Sequence, residues 1–397
     1  MIPSILPTYA RAPLSFTKGE GTWLIEEDGR RFLDLGAGIA VNALGHAHPS
    51  LVAALTEQAQ NLWHVSNLYT IPQQTELADQ LVAQSFADTV FFTNSGTESC
   101  ELAVKMARKY WFVKGQSERV EIITFSGSFH GRSSAGIAAA GSEKMTKGFG
   151  PLLPGFVHLD WADHAALDAA ITAKTAAILI EPIQGEGGIR PVPDACLKGL
   201  RELCDRHNLL LIFDEVQTGF GRTGNMFGAE TVNVVPDIVT LAKGIAGGFP
   251  LAAVLGKSEI MDSIHDAGIG STFGASPVSC AAALGVLEAF DNENILENAT
   301  KQSEIMNSQL LNMLKEYDFI GDVRGYGPMI GVEIVKGKDL NSPDKDKTMQ
   351  IISKCKDNGL LLVSCGENGN VIRFMGPLTT PINQVEEALE IFKNSLN

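Results

Sequence analysis

The chain is short of charge, of basic residues in particular, and of paired cysteines. Lys, Arg, Asp and Glu make up 19% of its 397 residues, and the acidic ones outnumber the basic ones to give a formal net charge of -15. Nucleic-acid binding is thereby disfavoured, because phosphates need a basic face. The six cysteines, Cys100, Cys196, Cys204, Cys280, Cys355 and Cys365, include no C-x-x-C. Cys100, Cys196 and Cys280 sit among apolar or small residues and read as reduced, buried thiols, which fits a reducing compartment. No apolar run is long enough to cross a bilayer. The opening "MIPSILPTYARAPL" has prolines where a secretory signal needs a basic and then an apolar region. The expected location is the cytoplasm, with neither membrane nor nucleic acid as a partner. There is no internal repeat, no low-complexity tract and no disorder-prone composition.

What is present is apolar: 45% of the residues, enough for a large core with a smaller companion. Short β-branched runs recur with helical stretches between them. They are "TVFF" from Thr89, "VEIITF" from Val120, "AAILI" from Ala176, "LLLIF" from Leu209 and "DIVTLA" from Asp237. Runs that are apolar on both faces and separated by helices predict an α/β fold with a mostly parallel sheet covered on both sides. After the first run, Leu102, Ala103, Met106, Ala107 and Tyr110 recur at helical spacing. Beyond about Asp291 the texture changes to a polar-faced helix, the strands "MIGVEIV" and "NVIRFM", and the charged loop "KGKDLNSPDKDK". The expected organisation has an N-terminal segment over 1–50 that contributes to a small domain, with a hairpin around Asp28-Gly29. A large cofactor-binding domain follows over 51–290, and an α+β small domain over 291–397.

Ligands gather at the carboxyl ends of strands in open α/β sheets, and each run here ends in polar residues. "NSGTES" places Ser95, Gly96 and Thr97 at a strand-to-helix turn, where free amides and the helix dipole favour phosphate; a plain helix cap by Ser95 or Thr97 is the alternative. Lys243 directly follows a buried strand, where low dielectric lowers an amine's pKa. Asp214 and Glu215 end another strand. A buried carboxylate is costly without a cation or donors. Pyridoxal phosphate (PLP) would supply that partner through its protonated ring nitrogen, with Asp214 at the nitrogen, Lys243 at the aldehyde, and Ser95 to Thr97 at the phosphate. Glu215 is counted with the same cofactor set. "GFGRTG", from Gly219 to Gly224, matches the glycine pattern of dinucleotide binders but lacks the immediate strand, turn and helix that pattern requires. It is read as a flexible loop near the site.

The stretches "NSGTE", "SFHGR", "EPIQGEGG", "FDEVQTGFGRTG", "TLAKG" and "STFG" occur in an order and at spacings that resemble the class III, fold-type I PLP aminotransferases, and more narrowly their acetylornithine aminotransferase branch, over nearly the whole chain. The resemblance implies that Lys243 engages the cofactor's aldehyde and abstracts a substrate proton, and that Asp214 partners the ring nitrogen. It further implies that Val216 and Phe129 pack on the two ring faces, that Gln217 bonds the phenolic oxygen, and that Gly96 and Thr97 bind phosphate. Thr272 would come from a neighbouring subunit, which makes a homodimer with shared sites the expected assembly. Arg132, assisted by Ser271, would take one substrate carboxylate and Arg373 another, with Glu186 as a movable ion-pair partner of Arg373. No metal is expected. His130 is read as support for the site, His46 and His48 as loop residues, and Glu181 as architecture. The implied reaction moves an amino group from N-acetylornithine to 2-oxoglutarate; succinylornithine, succinyldiaminopimelate, ornithine and 4-aminobutyrate are the alternative donors. A non-catalytic PLP sensor and a dinucleotide oxidoreductase are the rivals from other classes. Departures from the family pattern are Ser99-Cys100, Ala275-Ser276 and Gly376.

Overall fold

The computed structural model describes residues 3–160, 163–265 and 268–397. Its centre is a seven-stranded sheet in the order Thr89–Thr93, Ala252–Gly256, Ile238–Leu241, Leu210–Asp214, Thr175–Ile180, Glu121–Phe125, Phe156–Leu159. All strands run parallel except Ala252–Gly256, which is antiparallel to both neighbours. The interior strands Thr175–Ile180 and Leu210–Asp214 are buried at every position. That explains their unbroken apolar runs: helices cover both faces, so no side needs polar residues. Helix Gly96–Val113 buries the expected face of Leu102, Ala103, Met106, Ala107 and Tyr110, and Trp111 donates its indole N–H to Ala176 O at 2.9 Å. Sequence patterning missed Phe156–Leu159 and Ala252–Gly256, four and five residues long, which are strands because their neighbours supply the ladder.

A second core lies in the C-terminal part. Strands Ile320–Tyr326, Met329–Lys336, Val371–Phe374 and Val363–Cys365 form an antiparallel sheet, in which Gly331 stands opposite Arg373. Helices Ile295–Glu316, Lys345–Asp357 and Ile382–Ser395 bury Leu310, Ile351 and Phe392 in the same cluster as Ile372 and Phe374. The Asp28-Gly29 turn does join a hairpin, Trp23–Glu26 with Arg31–Asp34, and Leu33 pairs in parallel with Leu360. The charged stretch read as a loop holds the exposed edge strand Asp339–Pro343 and the start of helix Lys345–Asp357; an edge facing water has polar composition. All six cysteines are buried, and none forms a disulfide.

Ile212 is fully buried between Leu179 and Ile238 on the flanking strands. Ile212→Ala should lower the unfolding free energy by about 2–5 kcal/mol, through lost burial and an unfilled cavity. Urea denaturation of the cofactor-free protein measures it, and an unchanged midpoint would show that the sheet interior repacks freely.

Candidate active site

The carboxyl ends of the strands converge on one cavity of about 400 Å³. Asn94 to Thr97, Phe129 to Arg132, Glu181 and Glu186, Asp214, Val216 and Gln217, and Ala242 and Lys243 line it, each group following a different strand. At the helix start, Ser95 accepts from Glu98 N at 3.4 Å, so it caps as the plain alternative supposed. The first amides of the helix still have no intrahelical acceptor. Thr97 Oγ1 accepts from Arg132 N and Ser133 N at 3.0 and 3.1 Å, which leaves its own proton to donate. A Cβ on Gly96 would stand 2.7 Å from Val216 Cγ1, and one on Gly131 (φ 101°) would collide with the Thr97 hydroxyl. Only glycine lets these two backbones close the cup.

Adjacent residues of a strand face opposite ways, which accounts for two carboxylates in succession. Asp214, 3% exposed, points to the cavity. Its Oδ1 accepts from Val216 N and Thr240 Oγ1, both at 3.1 Å; its Oδ2 accepts from His130 Nδ1 at 2.8 Å and the Cys100 thiol at 3.2 Å. Burial alone would raise its pKa, but the His130 bond and charge, with the other donors, outweigh that and hold it below the usual value. Burial likewise opposes protonation of His130, and Asp214 reverses the balance, so the imidazole titrates above its ordinary value. The ligand atoms of Cys100, His130 and Asp214 lie within 4.8 Å of one another, in a cluster already committed to hydrogen bonding. Glu215 turns the other way: it accepts from Gly228 N, from Ala229 N at 2.8 Å and from Thr218 Oγ1 at 3.3 Å, holding the start of helix Gly228–Val232. Its inclusion in the cofactor set is corrected, because the strand period sends it away from the cavity.

Lys243 sits on the cavity floor with φ 47°, in the left-handed region, a strained conformation of the kind found at functional sites. Burial pushes its amine below the ordinary value, and the carboxylates of Glu186, Asp214 and Glu181 only partly oppose this. Glu181 accepts from Phe129 N and Gly185 N at 2.8 and 3.1 Å, joining two cavity loops, as its architectural reading supposed. Arg132 lies 5.5 Å from the Phe129 ring centroid. Arg373, 2% exposed, stands behind Glu186, with Nη1 2.5 Å from Glu186 Oε1 and Nη2 donating to Ser364 O at 3.0 Å. His46 and His48 bond different carboxylates, Asp34 and Glu293, and share no ligand set.

Ser271 and Thr272 do not line the cavity of their own chain. Ser271 Oγ accepts from Asn94 Nδ2 at 3.1 Å and Gly274 N at 2.9 Å, so its expected place beside Arg132 is not found within one subunit. "GFGRTG" is corrected too. Phe220 and Arg222 are 1% exposed, and the stretch is packed rather than loose. It leads into turns and the five-residue helix Gly228–Val232, not a dinucleotide crossover. Sequence reasoning missed Cys100 and Thr240 as donors to Asp214. Thr240 becomes visible only through the register that sets it beside Asp214, whereas Ser99-Cys100 stood out as a departure without a role.

The site suits PLP. It offers a cup of free amides and a Thr hydroxyl, a charged Asp214 kept anionic in a dry place, a lysine of lowered basicity, and a buried Gln217 Oε1 with no partner. The family model for aminotransferase class-III matches residues 6–396. The chain belongs to the class-III aminotransferases. It is 54% identical to the acetylornithine aminotransferase of Rhodobacter capsulatus over 98% of this chain and 96% of the relative. It also resembles the solved N-acetylornithine aminotransferase of Stenotrophomonas maltophilia, with TM-score 0.83, 36% identity, and 98% and 96% of the two chains covered. An amine transaminase from an uncultivated Pseudomonas species, solved with PLP bound, superposes with TM-score 0.91 at 32% identity, covering 98% and 97%. This class-III aminotransferase is accordingly a PLP enzyme of the fold-type I architecture. It moves an amino group between a small-molecule donor and a keto acid.

Burial raises the Glu215 carboxyl from 4.5 to about 7. A raised folded pKa stabilises the protein below the unfolded value and loses that contribution as pH rises through the folded value. The apparent Tm of the cofactor-free protein should therefore fall between about pH 5 and about pH 8, and Glu215→Gln should flatten the fall. Thermal melts across that range measure it; an identical slope in the variant would clear Glu215.

Proposed function

We propose that this aminotransferase takes the terminal amino group of N-acetylornithine and delivers it to 2-oxoglutarate, giving N-acetylglutamate 5-semialdehyde and glutamate, a step of arginine biosynthesis. The observation that carries the reading is the Glu186–Arg373 pair at 2.5 Å, over a cavity that also holds Arg132. A donor that reacts at a terminal CH2–NH2 brings no carboxylate beside the reacting carbon, so Arg373 needs Glu186 to neutralise it. 2-Oxoglutarate does bring one, and Glu186 must then yield the guanidinium fork. Arg132 would hold the carboxylate at the far end of either substrate. The relatives named for acetylornithine support the choice of donor.

In this reading Ser95, Gly96 and Thr97 would hold the phosphate of PLP, Phe129 and Val216 its ring faces, Gln217 its phenolic oxygen and Asp214 its ring nitrogen. The cofactor supplies a carbonyl that receives the amino group and a cationic ring that withdraws electrons when the substrate proton leaves. Lys243 Nζ would take that proton from the amine-bearing carbon; its lowered basicity leaves it neutral more often and ready to accept. His130 would act through Asp214, keeping the carboxylate oriented and ionised.

We further propose a homodimer in which Thr272 completes the partner's phosphate cup. Trp63, Tyr69 and Phe273, 70%, 67% and 62% exposed, support a surface that a second copy would cover. We retain the division at about residues 50 and 290, supported by the separate cores. A cytoplasmic location is supported by six cysteines that form no disulfide, and no described helix is long and apolar enough to cross a membrane.

Assays of N-acetylornithine, succinylornithine, succinyldiaminopimelate, ornithine and 4-aminobutyrate with 2-oxoglutarate test the donor. N-acetylornithine should give the highest kcat/KM, and Lys243→Ala should abolish turnover together with the visible band of the bound cofactor. A clear preference for another donor would overturn the assignment. Glu186→Gln should shift the kcat/KM ratio of glutamate to N-acetylornithine upward by roughly tenfold, the equivalent of about 1.4 kcal/mol. An unchanged ratio would remove Glu186 from substrate selection.

A further inference from the structure

We propose that Arg222 is a positioning residue: by clamping the ends of two paired strands, it sets the Arg373 guanidinium at its working distance from Lys243. The proposal rests on the reading of Arg373 given above.

Arg222 is 1% exposed, and no carboxylate pairs with it among the described residues. Its Nη1 donates to Gly376 O at 2.7 Å and Pro328 O at 3.2 Å, while Nη2 is buried without a partner. Burial pushes the guanidinium down to about 9. A charge buried against carbonyls alone costs stability, and an apolar side chain of similar volume would serve the core at least as well. Fold stability therefore does not account for an arginine here. Its two acceptors do. Pro328 immediately precedes strand Met329–Lys336, and Gly376 lies two residues beyond strand Val371–Phe374. These strands pair with Gly331 opposite Arg373 and Ile330 opposite Phe374, so Arg222 grips the end of the ladder that carries Arg373.

The same segment is fixed at its other end to the cofactor side. Gly219 N donates to Glu215 O at 3.0 Å, directly after Asp214. Phe220 packs so closely on the turn after Lys243 that a Cβ on Gly244 would stand 2.9 Å from Phe220 Cβ. From Asp214 to Arg222 the chain is thus a short strut. Its near end touches the Lys243 turn and its far end holds the Arg373 strand. Nη1 carries two N–H groups, one for each carbonyl, and so fixes the two strand ends against each other; a lysine ammonium has donors enough but ends about one bond short of that nitrogen.

The test uses holoenzyme carrying Arg222→Met, Arg222→Lys or, as a control, Arg373→Ala. Both Arg222 variants should raise KM for 2-oxoglutarate roughly tenfold or more, while the cofactor dissociation constant, kcat and KM for N-acetylornithine change by less than about threefold. Unchanged KM for 2-oxoglutarate in the Arg222 variants, alongside a defect in Arg373→Ala, would overturn the role of Arg222 alone. An Arg373→Ala enzyme with normal KM would overturn the reading of Arg373 and this proposal with it. Loss of cofactor affinity and of both KM values together, or failure of both Arg222 variants to fold, would also overturn it, since either assigns Arg222 to the general architecture.

Discussion

A carboxylate that stays ionised in a dry place is the constraint on which the rest of this structure depends. Asp214 ends an interior strand, where desolvation favours its neutral form. Four donors, from Val216, Thr240, His130 and Cys100, reverse that preference. They come from the residues just beyond the Asp214 strand, the neighbouring strand, the loop after Phe125, and the helix that begins at Gly96. Satisfying one side chain thereby ties four elements of the large sheet together. In the proposed reading the cofactor's ring nitrogen would meet an acceptor whose charge and direction are set before it arrives, which is preorganisation in the electrostatic sense.

Two buried glutamates near Asp214 show what happens without a cationic or imidazole donor. Glu181 and Glu215 are each held mainly by backbone amides, and burial carries both to about 7. They serve as staples, Glu181 between the Phe129 and Gly185 loops and Glu215 at the start of helix Gly228–Val232. Asp214 thus differs from Glu181 and Glu215 because its donors include an imidazole, not because its burial is different.

The departures from the family pattern acquire physical meaning in the fold. Ala275 takes φ 57°, in the left-handed region that favours glycine, and Ser276 caps helix Pro277–Asn292. Gly376 presents its carbonyl to Arg222, and a Cβ there would meet Leu35 Cδ2 at 2.5 Å. Cys100 faces Asp214. These positions lie on helix Gly96–Val113, at the start of helix Pro277–Asn292 and just beyond strand Val371–Phe374, so the departures leave Lys243, Asp214 and Arg132 in place.

The sequence by itself determined the interior strands, the Gly96–Val113 helix with its buried face, and the chemistry at each strand end. Local periodicity and residue type suffice for those, because parallel interior strands are apolar throughout and amphipathic helices show their face. Motif order added the family and with it the roles proposed for Phe129, Gln217, Arg132 and Arg373. Only the tertiary structure decided which of Asp214 and Glu215 faces the cavity, since side-chain direction depends on where the strand sits in the sheet. It alone set Thr240 and Cys100 on Asp214, kept Ser271 and Thr272 out of their own chain's cavity, and turned "GFGRTG" from an apparent loose loop into a packed strut. Each of those outcomes depends on residues far apart in the chain being brought together by sheet register and burial, and no local pattern of residues encodes that distance.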